Sequence, residues 1–443
     1  MSKLKLFLIL ASSLLISCTN LTGPEDQGTG GGGNGGGGTG TGGGGTGNPS
    51  WFLTADQQSK PLLQPEVKVF TTTDSTRYRI PAIIVANNGN IVALADDRHN
   101  HGSDIGFGQG AIDIVYRISK DGGKTWGDTK TILPKSKTGN NTENKGDPLV
   151  FKAQNGDLVV LAVSGGAWFS GDKVNSEILM SRSKDHGETW TPWKVEQNLW
   201  KTGGYGAGTL TRKCFAASGR GYTAKDGKLM AAMLVKFKSG VDGLVSIYSD
   251  DNGETWNAGG TVESSNGKGT LNEPKIMTEL DDGTIVMTVR NYGQRNRLYA
   301  ISKDGGKNWG TRSSGGQDKK LDDWNNMHDS DVNAEGVRWT SKSEGHDKNR
   351  IVHILSDGPQ RRVGLGLYVS EDEAQTFKQV KKIEPDSQDS CYSSIDILPD
   401  GTVIVLYEKN GRLNSYDLVF KRFNLYDLSG GREIYKVDWY KKQ

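Results

Sequence analysis

Several groups that commonly announce a function are scarce in this 443-residue chain. Cysteine occurs three times, at Cys18, Cys214 and Cys391, which excludes a disulfide framework and leaves room for one bridge. Six histidines, with neither HExxH nor CxxC spacing, supply no catalytic zinc site. His99 and His101 stand close together, but no further ligand accompanies them, so no metal and no other cofactor is expected. The net charge is only +2 and no Lys/Arg block stands out, too little to advertise a nucleic-acid partner, and none is expected. No long amphipathic helical pattern runs between residues 65 and 443. The apolar run Leu6 to Ile16 is too short to span a bilayer.

That run has another use. Lys3 and Lys5 precede it and Ser17-Cys18 follow, the layout of an export signal. Leu15-Ile16-Ser17-Cys18 resembles the bacterial lipoprotein signal, which implies a signal peptide over residues 1–18 and a diacylated Cys18. An exported lipoprotein is therefore expected, on the outer membrane or cell surface, attached to the membrane through this anchor. Residues 19–50 are mostly glycine with Thr and Asn, cannot bury a core, and read as a flexible tether. The folded domain is expected over residues 51–443.

Within it, short apolar runs recur between Gly/Asp/Asn clusters, an all-β signature. An octapeptide, Ser119-Lys-Asp121-Gly-Gly123-Lys-Thr125-Trp126, returns at Ser183, Ser249 and Ser302, and in worn form at Ser370 to Phe377. The serines stand 64, 66, 53 and 68 residues apart. Each copy reads as a hairpin turn: Ser and Asp bond turn amides, glycine takes a positive φ, and the aromatic packs the turn onto its sheet. Interleaved with these are six turn-plus-strand runs starting at Asn88, Asn155, Asp226, Asp282, Asn349 and Asp400, spaced 51 to 71 residues apart. Six such units, each with room for four strands, predict a six-bladed β-propeller. A β-solenoid remains the alternative; the long period and the turn chemistry favour the propeller.

The stretch Arg77 to Arg98 points to a site. Arg79 stands at the mouth of an apolar strand, and the returning strand ends in Asp96-Asp97-Arg98, with Asp104 six residues on. A buried arginine is costly unless it meets an anion. The octapeptide is the Asp box, and together with Arg79-Ile80-Pro81 it makes residues 65 to 443 resemble the sialidases (exo-α-sialidases, neuraminidases). The resemblance implies a retaining glycoside hydrolase that removes terminal α-linked sialic acid from sialylated glycans.

The family's residues carry over one at a time. Three arginines hold the substrate's carboxylate: Arg79, Arg290 at the end of Thr284-Ile-Val-Met-Thr-Val-Arg290, and Arg362, whose eight-residue distance from Ser370 fits better than that of Arg361. Tyr392, just before the sixth apolar run, matches the tyrosine nucleophile, and Glu273 in Leu271-Asn-Glu273-Pro matches the base beside it. Asp104 is the expected acid/base, its pKa raised as its loop closes over the site; Asp96, Asp97 and Asp113 are rivals. By the same resemblance Arg98 binds the sugar's hydroxyl at carbon 4, Glu408 fixes Arg79, and Asp147 lines the pocket wall. Trp168 and Phe169 are candidates for an acyl pocket or for core. Two other functions remain open: transfer of sialic acid to a sugar, and a non-catalytic sialic-acid-binding propeller. No residue signals a linkage preference.

Overall fold

A computed structural model describes residues 49–436 apart from 108–109, 139, 141, 167–174, 201–209, 264–266, 294–295 and 413. The expected signal with Cys18, the glycine-rich tether, and Trp168 and Phe169 lie outside the described residues. From Pro49 onward the chain forms one compact unit.

The described residues fold as an all-β, propeller-like set of five sheets. After β1 (Val67–Phe70), the strands β2 (Thr76–Val85), β3 (Ile91–His99), β4 (Ile112–Ser119) and β5 (Lys130–Thr131) form the first sheet in that order. The second is built on β6 (Gly146–Lys152), β7 (Leu158–Gly165), β8 (Ser176–Ser183) and β9 (Lys194–Val195). In the third, β10 (Leu210–Ala216), β13 (Leu229–Phe237), β14 (Asp242–Ser249) and β15 (Asn257–Val262) pair in turn. Between β10 and β13, β11 (Gly219–Arg220) crosses to run parallel to β6, and β12 (Tyr222–Thr223) rejoins β13. The fourth comprises β16 (Thr270–Glu279), β17 (Ile285–Tyr292), β18 (Asn296–Ser302) and β19 (Asp322–His328).

The remainder is a seven-stranded sheet of β20 (Glu335–Thr340), β21 (Arg350–Leu355), β22 (Val363–Ser370), β23 (Lys378–Ile397), β24 (Val403–Arg412), β25 (Ser415–Phe423) and the N-terminal β1. The long β23 serves two ladders: residues 378–389 lie along β22 and residues 390–397 along β24. Pairing of β1 with β25 ties the start of the domain to its end.

The six apolar runs become β3, β7, β13, β17, β21 and β24, the second strand of each group. They are apolar without alternation because both faces are covered. In β3, Ile91, Ala93 and Ala95 pack toward the last sheet while Val92 and Leu94 pack toward the second. In β13, Leu229, Ala231, Met233 and Val235 face one neighbour and Met230, Ala232 and Leu234 the other.

The octapeptides follow the third strands. Ser119 Oγ accepts from Gly123 N at 2.8 Å and donates to Asp121 Oδ1 at 2.8 Å, while Asp121 accepts from the amide and hydroxyl of Thr125. The other copies repeat this, Asn308 using its side-chain amide on Asp304 at 2.7 Å. The aromatics depart from expectation: each packs on the preceding sheet, not its own. Trp190 meets Tyr116, Trp256 meets Phe151 and Phe377 meets Trp324, with ring centres 5.0–6.0 Å apart. The turn closes the outer edge of its own ladder, so the free apolar surface within reach belongs to the neighbour. In the first copy that neighbour is the last sheet, through Trp126 and Phe420 at 5.4 Å. Gly123 is required there, since a Cβ would stand 2.1 Å from Phe420.

A recurring irregularity aims side chains at one end of the assembly. The ladders slip at Arg79/Ala82, Gly146/Leu149 and Leu271/Pro274. Each slip contains a proline, Pro81, Pro148 or Pro274, which has no N–H to give the ladder. The residues beside them are Arg79, Asp147 and Glu273. Ile80 takes φ 59 there, a strained state for a β-branched residue. Its amide is fixed by Glu408 at 2.8 Å and its side chain packs with Val332, Cys391 and Tyr392.

Candidate active site

These bulges bring together residues from distant parts of the chain. Tyr392, on β23, donates its hydroxyl to Glu273 Oε1 at 2.5 Å across 119 residues of sequence. Arg290, near the end of β17, donates to Glu273 Oε2 at 2.9 Å and to the Tyr392 hydroxyl at 3.2 Å. All three are at least nine-tenths buried. Burial and the adjacent Glu273 carboxylate push the Tyr392 phenol well above its ordinary value, against the pull of Arg290 and Arg362.

Two more guanidiniums meet the same ring, Arg79 at 5.6 Å and Arg362 at 5.9 Å from its centre. Arg79 Nε is held by Glu408 Oε1 at 2.8 Å, and Glu408 Oε2 accepts the Tyr392 amide at 3.1 Å. Arg362 has a buried Nε with no hydrogen-bond acceptor among the described residues. So the three predicted arginines converge on the predicted tyrosine, and the expected Glu408 partner is in place. A buried guanidinium N–H without an acceptor marks where an anion would be stabilised.

The pocket has a volume of about 610 Å³, and the carboxylates of Asp104 and Asp147 line it together with Arg290 and Arg362. Arg98 Nη2 lies 3.0 Å from Asp96 and 2.7 Å from Asp104. Asp147 donates its amide to Asp96 Oδ1 at 2.9 Å. The rivals of Asp104 have other duties: Asp96 is fully buried behind Arg98, and Asp113 is held by His99 at 3.1 Å and by the Ser136 amide. Asp97 faces His99 at 3.9 Å rather than Arg98. Among the described residues no His/Cys/Asp/Glu group could hold a metal, and Cys214 and Cys391 are both buried free thiols.

One expectation needs correction. The Asp104 side chain is 43% exposed, and although burial acts to raise its pKa, Arg98, Arg79, the Ile105 amide and Arg362 outweigh it and hold it below the usual value. Loop closure was expected to raise this pKa; the three guanidiniums and the amide around the carboxylate decide otherwise.

The two neighbouring carboxyls shift the other way. Asp96 is pushed to about 6 by burial, and Asp147 well above the usual range by burial and by Asp96. A carboxyl with a raised folded-state pKa binds more protons folded than unfolded, so its contribution is present at low pH and is lost as pH rises. The window opens near the unfolded value of about 3.9 and extends upward, through about 6 for Asp96. Asp147→Asn should therefore gain stability relative to the native chain as pH rises from 4 to 8. Urea midpoints across that range read the difference, and parallel curves for the two proteins would count against it.

Sequence reasoning missed Asp331. In the loop before β20, it takes Arg290 on Oδ1 at 2.8 Å and Arg361 on Oδ2 at 2.8 Å. Its only signal was the pair Asp329-Ser-Asp331 in a segment outside both repeats. Phe215 and Val163, which line the apolar part of the pocket, carried no signal beyond hydrophobicity.

Residues 106–405 match the family described as BNR repeat-like domain. A sialidase from Micromonospora viridifaciens is 30% identical over 370 residues, covering 80% of this chain and 52% of the relative. One from Paraclostridium sordellii is 26% identical, covering 79% of this chain and 87% of the relative. The chain thus spans about half the length of the first relative and most of the second. Among solved structures, a Hadza microbial sialidase superimposes with a TM-score of 0.65 at 22% identity, over 79% of this chain and 66% of that one. Trypanosoma rangeli sialidase gives 0.65 at 22%, over 83% and 61%. At such identities these two show likeness of fold.

Proposed function

The chain belongs to the family of BNR repeat-like domains, and from that premise we propose that it is an exo-α-sialidase acting on terminal α-linked sialic acid with retention of configuration. Counting the two ladders of β23 separately gives six blades, the architecture we assign to it. The observation that carries the functional reading is the Tyr392 phenol, bonded to Glu273 at 2.5 Å and ringed by Arg79, Arg290 and Arg362. We further assign residues 1–18 as a lipoprotein signal and 19–50 as a tether, holding the enzyme at a bacterial outer membrane or cell surface.

In this mechanism the three guanidiniums take the sugar carboxylate. That charge neutralises the cations acting on Asp104, and the leaving group covers its exposed side, so its pKa rises toward that of a working acid. Asp104 protonates the departing oxygen while the Tyr392 oxygen, giving its proton to Glu273, bonds to the anomeric carbon. Asp104 then takes a proton from water, whose oxygen attacks the anomeric carbon as Glu273 returns the proton to Tyr392. A phenol suits the task because a carboxylate nucleophile would be repelled by the substrate's own carboxylate. Arg98, neutralised by Asp96, is left to meet a ring hydroxyl, with Asp147 on the wall beside it.

The test is release of the aglycone from an aryl α-sialoside, with the first sugar product followed by NMR. The α anomer should appear first and the β anomer only by later mutarotation. No release sinks the enzymatic reading in favour of a lectin, and β first sinks retention. Diversion of product into a new sialoside on adding lactose would mark transfer rather than hydrolysis.

A further inference from the structure

Arg361 and Arg362 are adjacent in sequence but serve different ends of the pocket. The chain turns at Arg362, which takes φ 62 with its amide on Ser330 Oγ at 2.8 Å. Arg362 then lies at the Tyr392 ring, whereas Arg361 stands 5.9 Å from the ring of Tyr292. The carboxylate site described above employs Arg79, Arg290 and Arg362, and leaves Arg361 without a task.

Arg361 is half exposed, yet it is anchored. Its Nε lies 2.8 Å from Asp331 Oδ2, and the Asp331 side chain is only 5% exposed. Among the described residues no other carboxylate pairs with Arg361, so its terminal amino groups are left for another acceptor. Asp331 also carries Arg290, which Glu273 holds on its other side, so Asp331 is shared between two guanidiniums. Beside them Tyr292, 48% exposed, lies 5.7 Å from Arg290 and 5.9 Å from Arg361. Tyr292 and Arg361 both line the pocket.

This pairing has a definite chemistry. A flat aromatic ring offers contact to the apolar face of a sugar, and a fixed guanidinium fork matches a carboxylate or sulfate. A substrate whose carboxylate is held below and whose anomeric carbon faces Tyr392 has its leaving group in the open part of the pocket. We propose that Arg361, held by Asp331 beside Tyr292, is an anion subsite for the leaving group, selecting sialosides whose penultimate sugar is itself acidic, either a second sialic acid or a sulfated sugar. This rests on the sialidase reading of the same pocket.

The test compares four substrates: an aryl sialoside, sialyllactose, α2,8-linked disialic acid, and sialyllactose sulfated on galactose. Arg361→Met should raise KM for the acidic substrates about tenfold, the scale of one partly exposed charge-assisted contact. The aryl sialoside and sialyllactose should change less than about twofold, and Arg361→Lys should retain part of the preference. In the native enzyme, added NaCl should raise KM for the acidic substrates only. Response to both acidic substrates assigns a general oxyanion subsite, and response to disialic acid alone a carboxylate one. Equal losses on all four, or none on the acidic pair, overturns the proposal. Binding to the Tyr392→Phe chain, measured by calorimetry, reads the subsite without turnover: disialic acid should bind about tenfold more tightly than sialyllactose, and Arg361→Met should erase the difference. Equal binding there overturns the subsite, whereas failure of the native enzyme to cleave the aryl sialoside overturns the sialidase reading.

Discussion

Tyr392→Phe should lower kcat on an aryl sialoside by about a thousandfold or more, because in the proposed mechanism it removes the atom that bonds to the anomeric carbon. The fold should survive. The hydroxyl makes two hydrogen bonds, one to Glu273 and one from Arg290, and those two remain paired with each other at 2.9 Å when it is gone. No buried charge is orphaned, so the cost should stay within about 1–2 kcal/mol. The ring still packs with Ile80 and Val332, and the cation contacts of Arg79 and Arg362 persist. Thermal melting and kcat, measured on one preparation, separate the two quantities. A variant that keeps activity within tenfold would remove Tyr392 from the chemistry. Glu273→Gln is the companion experiment: it leaves the phenol but takes away its proton acceptor, and should reduce kcat while shifting its pH dependence upward.

The reason such a variant can be named from sequence is local. Arg79-Ile-Pro, Leu271-Asn-Glu273-Pro and the apolar run ending at Arg290 each place a polar residue at a ladder slip or strand end that a proline or a change in polarity makes visible. The two repeats were equally readable, because a turn that satisfies its own amides and a strand covered on both faces both impose composition on neighbouring residues. What resisted reading was contact across the ring. Nothing near Trp126 says that its partner is Phe420, and nothing near Gly219 says that the chain leaves its sheet there to run beside Leu149. Asp331 belongs to the same class: its two arginines lie 41 and 30 residues away, on either side of it in sequence. The Asp104 pKa could not be read from its loop alone, since Arg98, Arg79 and Arg362 join the Ile105 amide in lowering it. Conversely, the structure separates Arg361 from Arg362, which sequence spacing could only rank.

Glu408 is where fold and site are least separable. Its Oε1 accepts Arg79 Nε and the Ile80 amide, each at 2.8 Å, and its Oε2 accepts Arg79 Nη2 at 3.4 Å and the Tyr392 amide at 3.1 Å. It is fully buried, so one side chain on β24 sets the arginine on β2, the strained peptide after it, and the backbone of Tyr392. Glu408→Gln keeps the shape and removes the charge. Arg79 is then a buried cation without its counter-ion, and one amide N–H₂ must face a donor. A loss of about 3–5 kcal/mol is expected, with activity falling at least a hundredfold. Stability alone would not show that Arg79 serves the substrate, so the informative partner is Arg79→Met/Glu408→Leu. Removing both charges should recover part of the lost stability, because a buried pair is worth little against apolar side chains of similar volume, while the Ile80 and Tyr392 amides that Glu408 accepts are left unpaired. It should recover no activity, because the proposed carboxylate subsite has lost a guanidinium. Denaturant midpoints and kcat/KM for the two variants decide the matter. A Glu408→Gln protein as stable as the native one would mean that the pair is not what holds Arg79, and a double variant that turns over would mean that Arg79 is not needed for the substrate.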